Sequence, residues 1–223
     1  MTPRPIRRDP WPWVVLACAL AFLVLGTLVV RRGGLAFDEP LAAALQGLPV
    51  PVGIWEACTF LGGAILIPIG VALVLAAALS RRVRLAIIVA LVLVIAAAFT
   101  EVVKELVARP RPTANPLVSA SGYSFPSGHS LNSTVTFGIL ALIAWRSRLS
   151  LAVRRAVPVV AVMLPVLIGL SRIALGVHWP TDVLAGWLAG VAFVALAATF
   201  VRQTRALERE LPGPAARVPA SEP

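Results

Sequence analysis

The sequence predicts an all-α fold, a polytopic membrane bundle with six transmembrane helices. Hydrophobic residues make up 59% of the 223 positions and charged residues only 13%, and the mean hydropathy is +0.89. These values are far more apolar than those of an average soluble domain. The chain also contains six apolar runs, each long enough to cross about 30 Å of hydrocarbon as a helix. The runs lie at 13–30, 56–79, 84–104, 129–145, 156–172 and 182–201.

The first apolar run, 13–30, is predicted to be a retained transmembrane helix and not a cleaved signal peptide. The run is long, it begins after Trp11 and Trp13, and no small-residue cleavage site precedes the arginines that follow it. We therefore count it as the first of the six spans.

The expected organisation is a single membrane domain with short ends. A cytoplasmic segment covers 1–12, the domain covers 13–201 with its motif region at 104–182, and a disordered cytoplasmic tail covers 202–223. Between the first two spans, residues 38–47 begin with Asp-Glu-Pro and end at a glycine, which predicts a short interfacial helix.

The net charge of +10 follows from membrane topology, and no nucleic-acid partner is expected. Most of the basic residues fall in the terminal segments and in the loops on one side of the membrane. These are Arg4, Arg7, Arg8, Arg81, Arg82, Arg84, Arg146, Arg148, Arg154, Arg155, Arg202, Arg205, Arg209 and Arg217. The positive-inside rule then predicts that both termini are cytoplasmic.

Polar residues at the ends of four spans are predicted to meet at one membrane face. Lys104 ends the third span, His129 begins the fourth, Arg172 ends the fifth, and His178 and Asp182 lie where the sixth begins. With cytoplasmic termini, span parity puts all of them on the extracytoplasmic side. Segments distant in sequence therefore converge at one depth.

Three short strings carry these polar residues. They are Lys104 with Arg111-Pro112, then Pro126-Ser127-Gly128-His129, and then Ser171-Arg172 followed by His178 and Asp182. Together they supply the cations, histidines and carboxylate needed to hold a phosphate and break its ester bond. The set resembles the signature of the type 2 phosphatidic acid phosphatase (PAP2) family of membrane lipid phosphatases. The resemblance covers about residues 55–200.

The second string falls where a loop rich in Ser, Gly and Pro gives way to an apolar helix. Ser127 is a candidate N-cap, and a helix start of this kind attracts anions. Gly128 lets the backbone approach a phosphate closely. We therefore predict that Ser127 and Gly128 bind the substrate phosphate.

Three cations are predicted to form a phosphate clamp. Arg111 and Arg172 offer forked donors for two phosphate oxygens, and Lys104 adds a point charge. Glu101, one turn before Lys104, is expected to pair with it. Arg109 lies outside the motif positions and is interpreted as an interfacial cation that reaches toward lipid headgroups.

The two histidines are the only ones in the chain. The resemblance implies that His178 attacks phosphorus to form a phosphohistidine and that Asp182 orients it. It also implies that His129 protonates the leaving group and then activates water. A carboxylate one helical turn after a histidine is able to hold one ring nitrogen and present the other.

No cofactor and no metal are expected. His, Cys and carboxylates show no metal-ligand spacing, and the resemblance implies a metal-independent reaction. The expected substrate is a lipid phosphomonoester or diphosphate in the bilayer, such as undecaprenyl diphosphate, phosphatidylglycerophosphate or phosphatidic acid. The sequence predicts no oligomeric state.

Three alternatives remain open on sequence grounds. The same motifs serve a phosphotransferase that passes phosphate from the histidine to an acceptor hydroxyl. A protein with this fold is also able to bind or translocate lipid without catalysis. The family further resembles vanadium haloperoxidases at these positions, although a small six-span chain disfavours that activity.

Overall fold

The computed structural model describes residues 9–114, 116–147 and 149–210, with side chains described to residue 203 in the last helix. The predictions that fall on 1–8, 115, 148 and 211–223 lie outside these residues. This applies to most of the N-terminal segment and to the end of the predicted tail.

The described residues form eight α-helices and no β-strand, which confirms the all-α fold class. The helices are α1 (Trp11–Arg32), α2 (Asp38–Gln46), α3 (Val52–Phe60), α4 (Leu66–Leu79), α5 (Val83–Val107), α6 (Gly128–Trp145), α7 (Leu151–Ala174) and α8 (Pro180–Glu210). The short interfacial helix predicted at 38–47 is α2. Helix α8 continues past residue 201, where the sequence predicted the last span to end.

Local sequence signals set the helix ends next to the polar strings. Helix α1 ends at Gly33, which has a left-handed φ of 75°, and α5 ends at Ala108, also left-handed with φ 47°. Pro110 follows and cannot continue a helix. Helix α6 starts after the N-cap Ser127, and α8 starts with Pro180 at its first position, where proline is favoured.

The prediction of one continuous helix over 56–79 is wrong. The segment is divided into α3 and α4 by hydrogen-bonded turns over 61–65, which contain Gly62 and Gly63. Two adjacent glycines lower helix propensity and let another segment approach closely. A β-carbon on Gly62 would overlap Ile168 Cγ2 and lie 3.2 Å from His129 Cδ2, so the glycine makes room for both side chains.

Four helices are long and apolar enough to cross a membrane, namely α1, α5, α7 and the part of α8 from Pro180 to Gln203. The chain is therefore a multi-pass membrane protein. The count of six spans is not confirmed. Helix α4 has 14 residues, or about 21 Å of length, and α6 has 18 residues of mixed polarity.

Helix α6 lies at the centre of the bundle and packs against α5, α7 and α8, while α1 packs along α8. Two glycines spaced by one helical turn, Gly186 and Gly190, allow the backbones of α6 and α8 to approach closely. A β-carbon at Gly190 would lie 2.6 Å from Thr134 Cβ, and one at Gly186 would lie 2.7 Å from the Ser127 carbonyl oxygen. This close packing brings the start of α6 against the start of α8.

Helix α2 packs against α7 and α8 at the end of the bundle where α7 ends and α8 begins. Asp38 and Ala42 are buried in this contact, whereas the neighbouring Glu39 is exposed. Because α2 covers this end of the bundle, it contributes side chains to the region where the three polar strings meet.

Candidate active site

The three polar strings converge at one end of the bundle. The end of α5 supplies Lys104, the following loop supplies Arg111, and the first turn of α6 supplies His129. The end of α7 supplies Arg172, and the loop into α8 supplies His178. The backbone joins two of the strings directly, because the Ser127 amide donates a hydrogen bond to the Asp182 carbonyl oxygen at 2.9 Å. The structure therefore brings residues of all three strings together.

His178 is buried, with 2% of its surface exposed, and both ring nitrogens face charged groups. Its Nδ1 lies 3.5 Å from Asp182 Oδ2, a long contact, and its Nε2 lies 3.1 Å from Arg111 Nη1. Because a guanidinium only donates, Nε2 accepts, and the ring proton belongs on Nδ1. A lone pair is therefore present on Nε2, the nitrogen that faces the cations.

Burial lowers the pKa of His178 to about 4, although the interaction with Asp182 opposes this effect. The charges of Arg111 and Arg172 lower this pKa further. The imidazole is consequently neutral at physiological pH, which is the state that a nucleophile requires.

Arg111 uses its guanidinium to hold the loop that precedes α6. Nε donates to the Gly122 carbonyl oxygen at 3.0 Å, and Nη2 donates to the carbonyl oxygens of Ser121 and Tyr123 at 2.8 and 3.1 Å. Nη1 donates to the Val177 carbonyl oxygen at 2.7 Å and points to His178. In this state all five N–H groups face protein acceptors, so Arg111 needs to exchange a contact before it binds a phosphate.

Arg172 is less well satisfied than Arg111. Its Nη1 donates to Thr59 Oγ1 at 2.8 Å, whereas its buried Nε has no hydrogen-bond partner among the residues that the structure describes. An unpaired buried donor on a cation favours an anion. Thr59 on α3 was not predicted from the sequence, which gives no signal for it.

Lys104 and Gly128 face each other across the site entrance. A β-carbon on Gly128 would lie 3.9 Å from Lys104 Nζ and 3.2 Å from Thr100 Cγ2. Lys104 also forms an ion pair with Glu101 at 2.8 Å, as predicted, and its side chain is 16% exposed. The lysine is therefore held at the mouth of the site while it remains accessible to a ligand.

The prediction that Ser127 caps α6 is confirmed. The Ser127 hydroxyl oxygen accepts from the Ser130 amide at 3.5 Å and from the Ser130 hydroxyl at 3.1 Å. The first backbone bond of the helix runs from the Leu131 amide to the Ser127 carbonyl oxygen, so the amides of Gly128 and His129 precede it. These amides add to the positive end of the helix dipole.

The interpretation of Arg109 as an exposed interfacial cation is wrong. Arg109 is 4% exposed and forms ion pairs with Asp38 on α2 at 2.8 Å and with Asp182 on α8 at 2.5 Å. It also donates to Thr181 Oγ1 at 2.6 Å and to the Gly33 carbonyl oxygen at 3.1 Å. The guanidinium is buried because two carboxylates compensate its charge.

A groove of about 820 Å³ leads from the apolar flank of the bundle to this site. Its wall is formed by aliphatic side chains of α4 and α5, including Ile67, Val71 and Leu93. Its polar end is formed by Lys104 and His129 with neighbouring residues of α6. The groove therefore combines a long apolar surface with a cationic end.

Within the described ranges, no three His, Cys, Asp or Glu side chains cluster as a metal site would require. The charged groups around His178 are the guanidinium groups of Arg111 and Arg172 and the carboxylate of Asp182. In chemical terms the site is a cationic pocket with two imidazoles and one buried carboxylate.

Comparison with known proteins identifies the family of this site. The model of the PAP2 superfamily matches residues 85–206, more than half of the chain. The chain belongs to the PAP2 superfamily. This confirms the membership predicted from the three strings, all of which lie within the matched residues. Its relatives include an undecaprenyl-diphosphatase of Sulfolobus acidocaldarius, 30% identical in an alignment of length 206 that covers 82% of this PAP2 chain and 87% of that protein.

Two further matches, one to a sequence and one to a solved structure, come from Bacillus subtilis. Phosphatidylglycerophosphatase B is 39% identical over 101 residues, which are 45% of this PAP2 chain and 50% of that protein. The chain thus matches half the length of that relative. The crystal structure of a transmembrane PAP2-type phosphatidylglycerolphosphate phosphatase superposes with a TM-score of 0.79 at 29% identity. The superposition covers 86% of this chain and 97% of that structure.

The structure brings together all eight predicted site residues, Lys104, Arg111, Ser127, Gly128, His129, Arg172, His178 and Asp182. Sequence reasoning missed Asp38, Thr181 and Thr59. The Asp-Glu-Pro start of α2 marked Asp38 only as a helix-terminal residue. The sequence does contain one signal for Arg109. It lies in the run Arg109-Pro110-Arg111-Pro112, and the two prolines restrict the backbone of this segment.

Proposed function

We propose that this protein is a membrane lipid phosphatase that hydrolyses a lipid phosphomonoester or diphosphate through a phosphohistidine intermediate. One observation carries the proposal. The groove joins an apolar wall, suited to an acyl or prenyl chain, to a polar end at His129 and Lys104. The names of the relatives support phosphatidylglycerophosphate and undecaprenyl diphosphate as candidate substrates, and phosphatidic acid shares their chemistry.

The first chemical step is attack of the His178 Nε2 lone pair on phosphorus. The new P–N bond forms as the P–O bond to the lipid breaks, and His129 gives its proton to the departing oxygen. The phosphoryl group stays on His178 as a phosphohistidine. Asp182, next to Nδ1, stabilises the positive charge that the ring gains.

The second step returns the enzyme to its starting state. His129, now neutral, takes a proton from a water molecule, whose oxygen attacks phosphorus. The P–N bond breaks, inorganic phosphate leaves, and the electron pair returns to Nε2. His129 then holds the proton taken from water, and the negative charge of the next bound phosphate keeps it protonated among the surrounding cations.

Lys104, Arg111 and Arg172 offset the negative charge of the transferred phosphoryl group. Arg172 has an unpaired Nε available for this. Arg111 joins by moving its Nη1 donor from His178 Nε2 to a phosphate oxygen, at the moment when phosphorus takes the lone pair. Ser127, as the N-cap, and the free amides of Gly128 and His129 complete the cradle at the start of α6.

The membrane arrangement follows the same reasoning. The segment Val52–Leu79, with α3 and α4 together, and α6 each form a crossing, which gives six spans. The basic residues at 81, 82 and 84 and those between α6 and α7 then lie in the cytoplasm with both termini. The active site opens on the extracytoplasmic face at headgroup depth, so lipid substrates reach it by lateral diffusion.

The test of the activity is phosphate release by the purified protein from lipid phosphates in detergent and in liposomes. We expect release from at least one of phosphatidylglycerophosphate, undecaprenyl diphosphate and phosphatidic acid, and an acid-labile phosphoenzyme on rapid quenching. His178→Ala should remove both signals. Transfer of phosphate to an added lipid alcohol would favour the phosphotransferase, and lipid movement between leaflets without phosphate release would favour the translocating protein.

The test of topology is labelling of single cysteines in a background without Cys18 and Cys58. A cysteine at the exposed Ser121 should react with an impermeant reagent in intact cells. One at the exposed Ser80 should react only after permeabilisation. The reverse pattern would place the site on the cytoplasmic face.

A further inference from the structure

Arg109 is the centre of a buried ionic network that joins three parts of the chain. Its Nη1 faces Asp182 and Thr181 at the start of α8, its Nη2 faces Asp38 on α2, and its Nε faces the carbonyl oxygen of Gly33 after α1. The guanidinium carbon also lies 5.5 Å from the ring centre of Trp179, a distance at which a cation is attracted to an aromatic face.

Asp38 fixes Arg109 from the side opposite the active site. Its Oδ2 accepts from Arg109 Nη2 and from the Thr181 hydroxyl, both at 2.8 Å, and from the Leu35 amide at 3.1 Å. Its Oδ1 accepts from the Thr181 amide at 2.9 Å. A β-carbon on Gly34 would lie 2.7 Å from Arg109 Nη2, so a larger residue at this position would push against the ion pair.

Both oxygens of Asp182 are held by this arrangement. Oδ1 accepts from Arg109 Nη1, and Oδ2 accepts from the Trp179 amide at 2.9 Å. Oδ2 also faces His178 Nδ1, at a distance of 3.5 Å. The orientation of the carboxylate that faces the histidine is therefore set by Arg109 and by the backbone.

The charges of the network also matter to His178. Asp38, Arg109 and Asp182 together carry one net negative charge, and all three are almost fully buried. If Asp38 were absent, the guanidinium would neutralise Asp182. The His178 imidazole gains positive charge as it becomes phosphorylated, and the net negative charge of the network stabilises it. Without Asp38 this stabilisation would be lost.

We propose that Arg109, held by Asp38, is a positioning residue that sets both the orientation of Asp182 and the net charge beside His178. This inference rests on the proposed function for its kinetic part. Because the Arg109 guanidinium is buried and paired with the carboxylates of Asp38 and Asp182, the residue acts on the rate of phosphoryl transfer and not on phosphate binding. Its loss therefore lowers kcat and leaves KM unchanged.

The kinetic test uses Arg109→Lys, which keeps the charge and loses the fork. We expect kcat to fall about 10²-fold, because misplacement of a catalytic group by about 1 Å has this effect. KM should stay at the wild-type value, whereas vanadate, which adopts the five-coordinate geometry of the transition state, should inhibit more weakly in step with the loss of kcat. Arg32→Lys and Glu39→Gln are the matched controls, since both residues are exposed on the same face, and neither should change kcat.

The electrostatic test follows the titration of His178 by NMR with ¹³C-labelled histidine. The other charged or titratable groups that face His178 are Asp182 on α8, Arg111 on the loop between α5 and α6, Arg172 on α7 and His129 on α6. These groups are the same in all variants.

Arg109→Gln removes a positive charge and should raise the midpoint of this titration, whereas Asp38→Asn removes a negative charge and should lower it. The double variant restores the net charge, so its midpoint should return toward the wild-type value while kcat stays low.

The outcomes separate this inference from the proposed function. Wild-type protein that releases no phosphate refutes the proposed function, yet the opposite shifts of the His178 midpoint remain measurable. Active wild-type protein with unchanged kcat in Arg109→Lys overturns the positioning role, as does a weaker vanadate inhibition without loss of kcat. Midpoints that move in the same direction in both charge variants would mean that the network only holds the fold. If the uncharged variants do not fold, Arg109→Lys alone decides.

Discussion

The burial of His178 predicts that its imidazole stays neutral well below the pH at which an ordinary histidine is protonated. With a pKa of about 4, about nine-tenths of the rings are neutral at pH 5. With an ordinary pKa of about 6.5, only about 3% would be neutral at that pH. The nucleophile should therefore remain available across the whole physiological range.

The same burial makes folding stability depend on pH. The unfolded chain takes up a proton on His178 below about pH 6.5, whereas the folded protein does so only near pH 4. The stability due to the neutral ring is complete above about pH 6.5 and is lost as the pH falls toward 4. The difference between the two pKa values corresponds to about 3 kcal/mol.

The assay is an NMR titration of ¹³C-labelled histidine in detergent micelles, from about pH 3 to about pH 8. The chain contains two histidines, so His129→Ala protein without an affinity tag gives one signal, that of His178. We expect a midpoint near 4. A midpoint near 6.5 would mean that water reaches the ring, and the reasoning from burial would be refuted.

Three further predictions concern the chemistry. Arg172→Lys should lose most activity although the charge is kept, because a lysine cannot give a forked contact. Its control, Arg155→Lys at the exposed other end of the same helix, should stay active. Equal losses in the two variants would mean that the clamp is misassigned. Activity should persist in EDTA and be inhibited by vanadate, since fixed cations take the place of a metal, and a requirement for added Mg²⁺ would contradict this. His129→Ala should slow phosphoenzyme formation by about 10²–10⁴-fold with a lipid phosphomonoester. The loss should be much smaller with p-nitrophenyl phosphate, whose leaving group needs no proton. Equal losses on both substrates, or a phosphoenzyme in His178→Ala, would refute the division of roles between the two histidines.

The fold class and the principal site residues were predictable because they depend on local signals. Apolar runs marked the long helices α1, α5, α7 and α8, Ser127 marked the start of α6, and the Asp-Glu-Pro sequence marked the start of α2. Each signal acts within about one or two helical turns, so the order of residues alone carries it. The three strings also carried the family, and the convergence of their residues followed from span parity.

The break between α3 and α4 was not predicted because hydropathy alone does not register it. Residues 61–65 are as apolar as the helices on either side, so the run reads as one span. Gly62 at this break also lies against Ile168 and His129, which are contacts between distant parts of the chain. Contacts of this kind are visible only when the helices are packed.

The sequence by itself determined the membrane class, the family and the three strings that carry the candidate site. The tertiary structure decided how the charges are shared within that site. Arg109 and Asp38 are 71 residues apart, and Thr181 and Asp38 are 143 apart, so no local pattern pairs them. Arg109 was predicted to be exposed because a lone arginine near a span end is normally solvated. It is buried because the packing of α2 and α8 supplies two carboxylates, and a buried charge is stable only beside such partners.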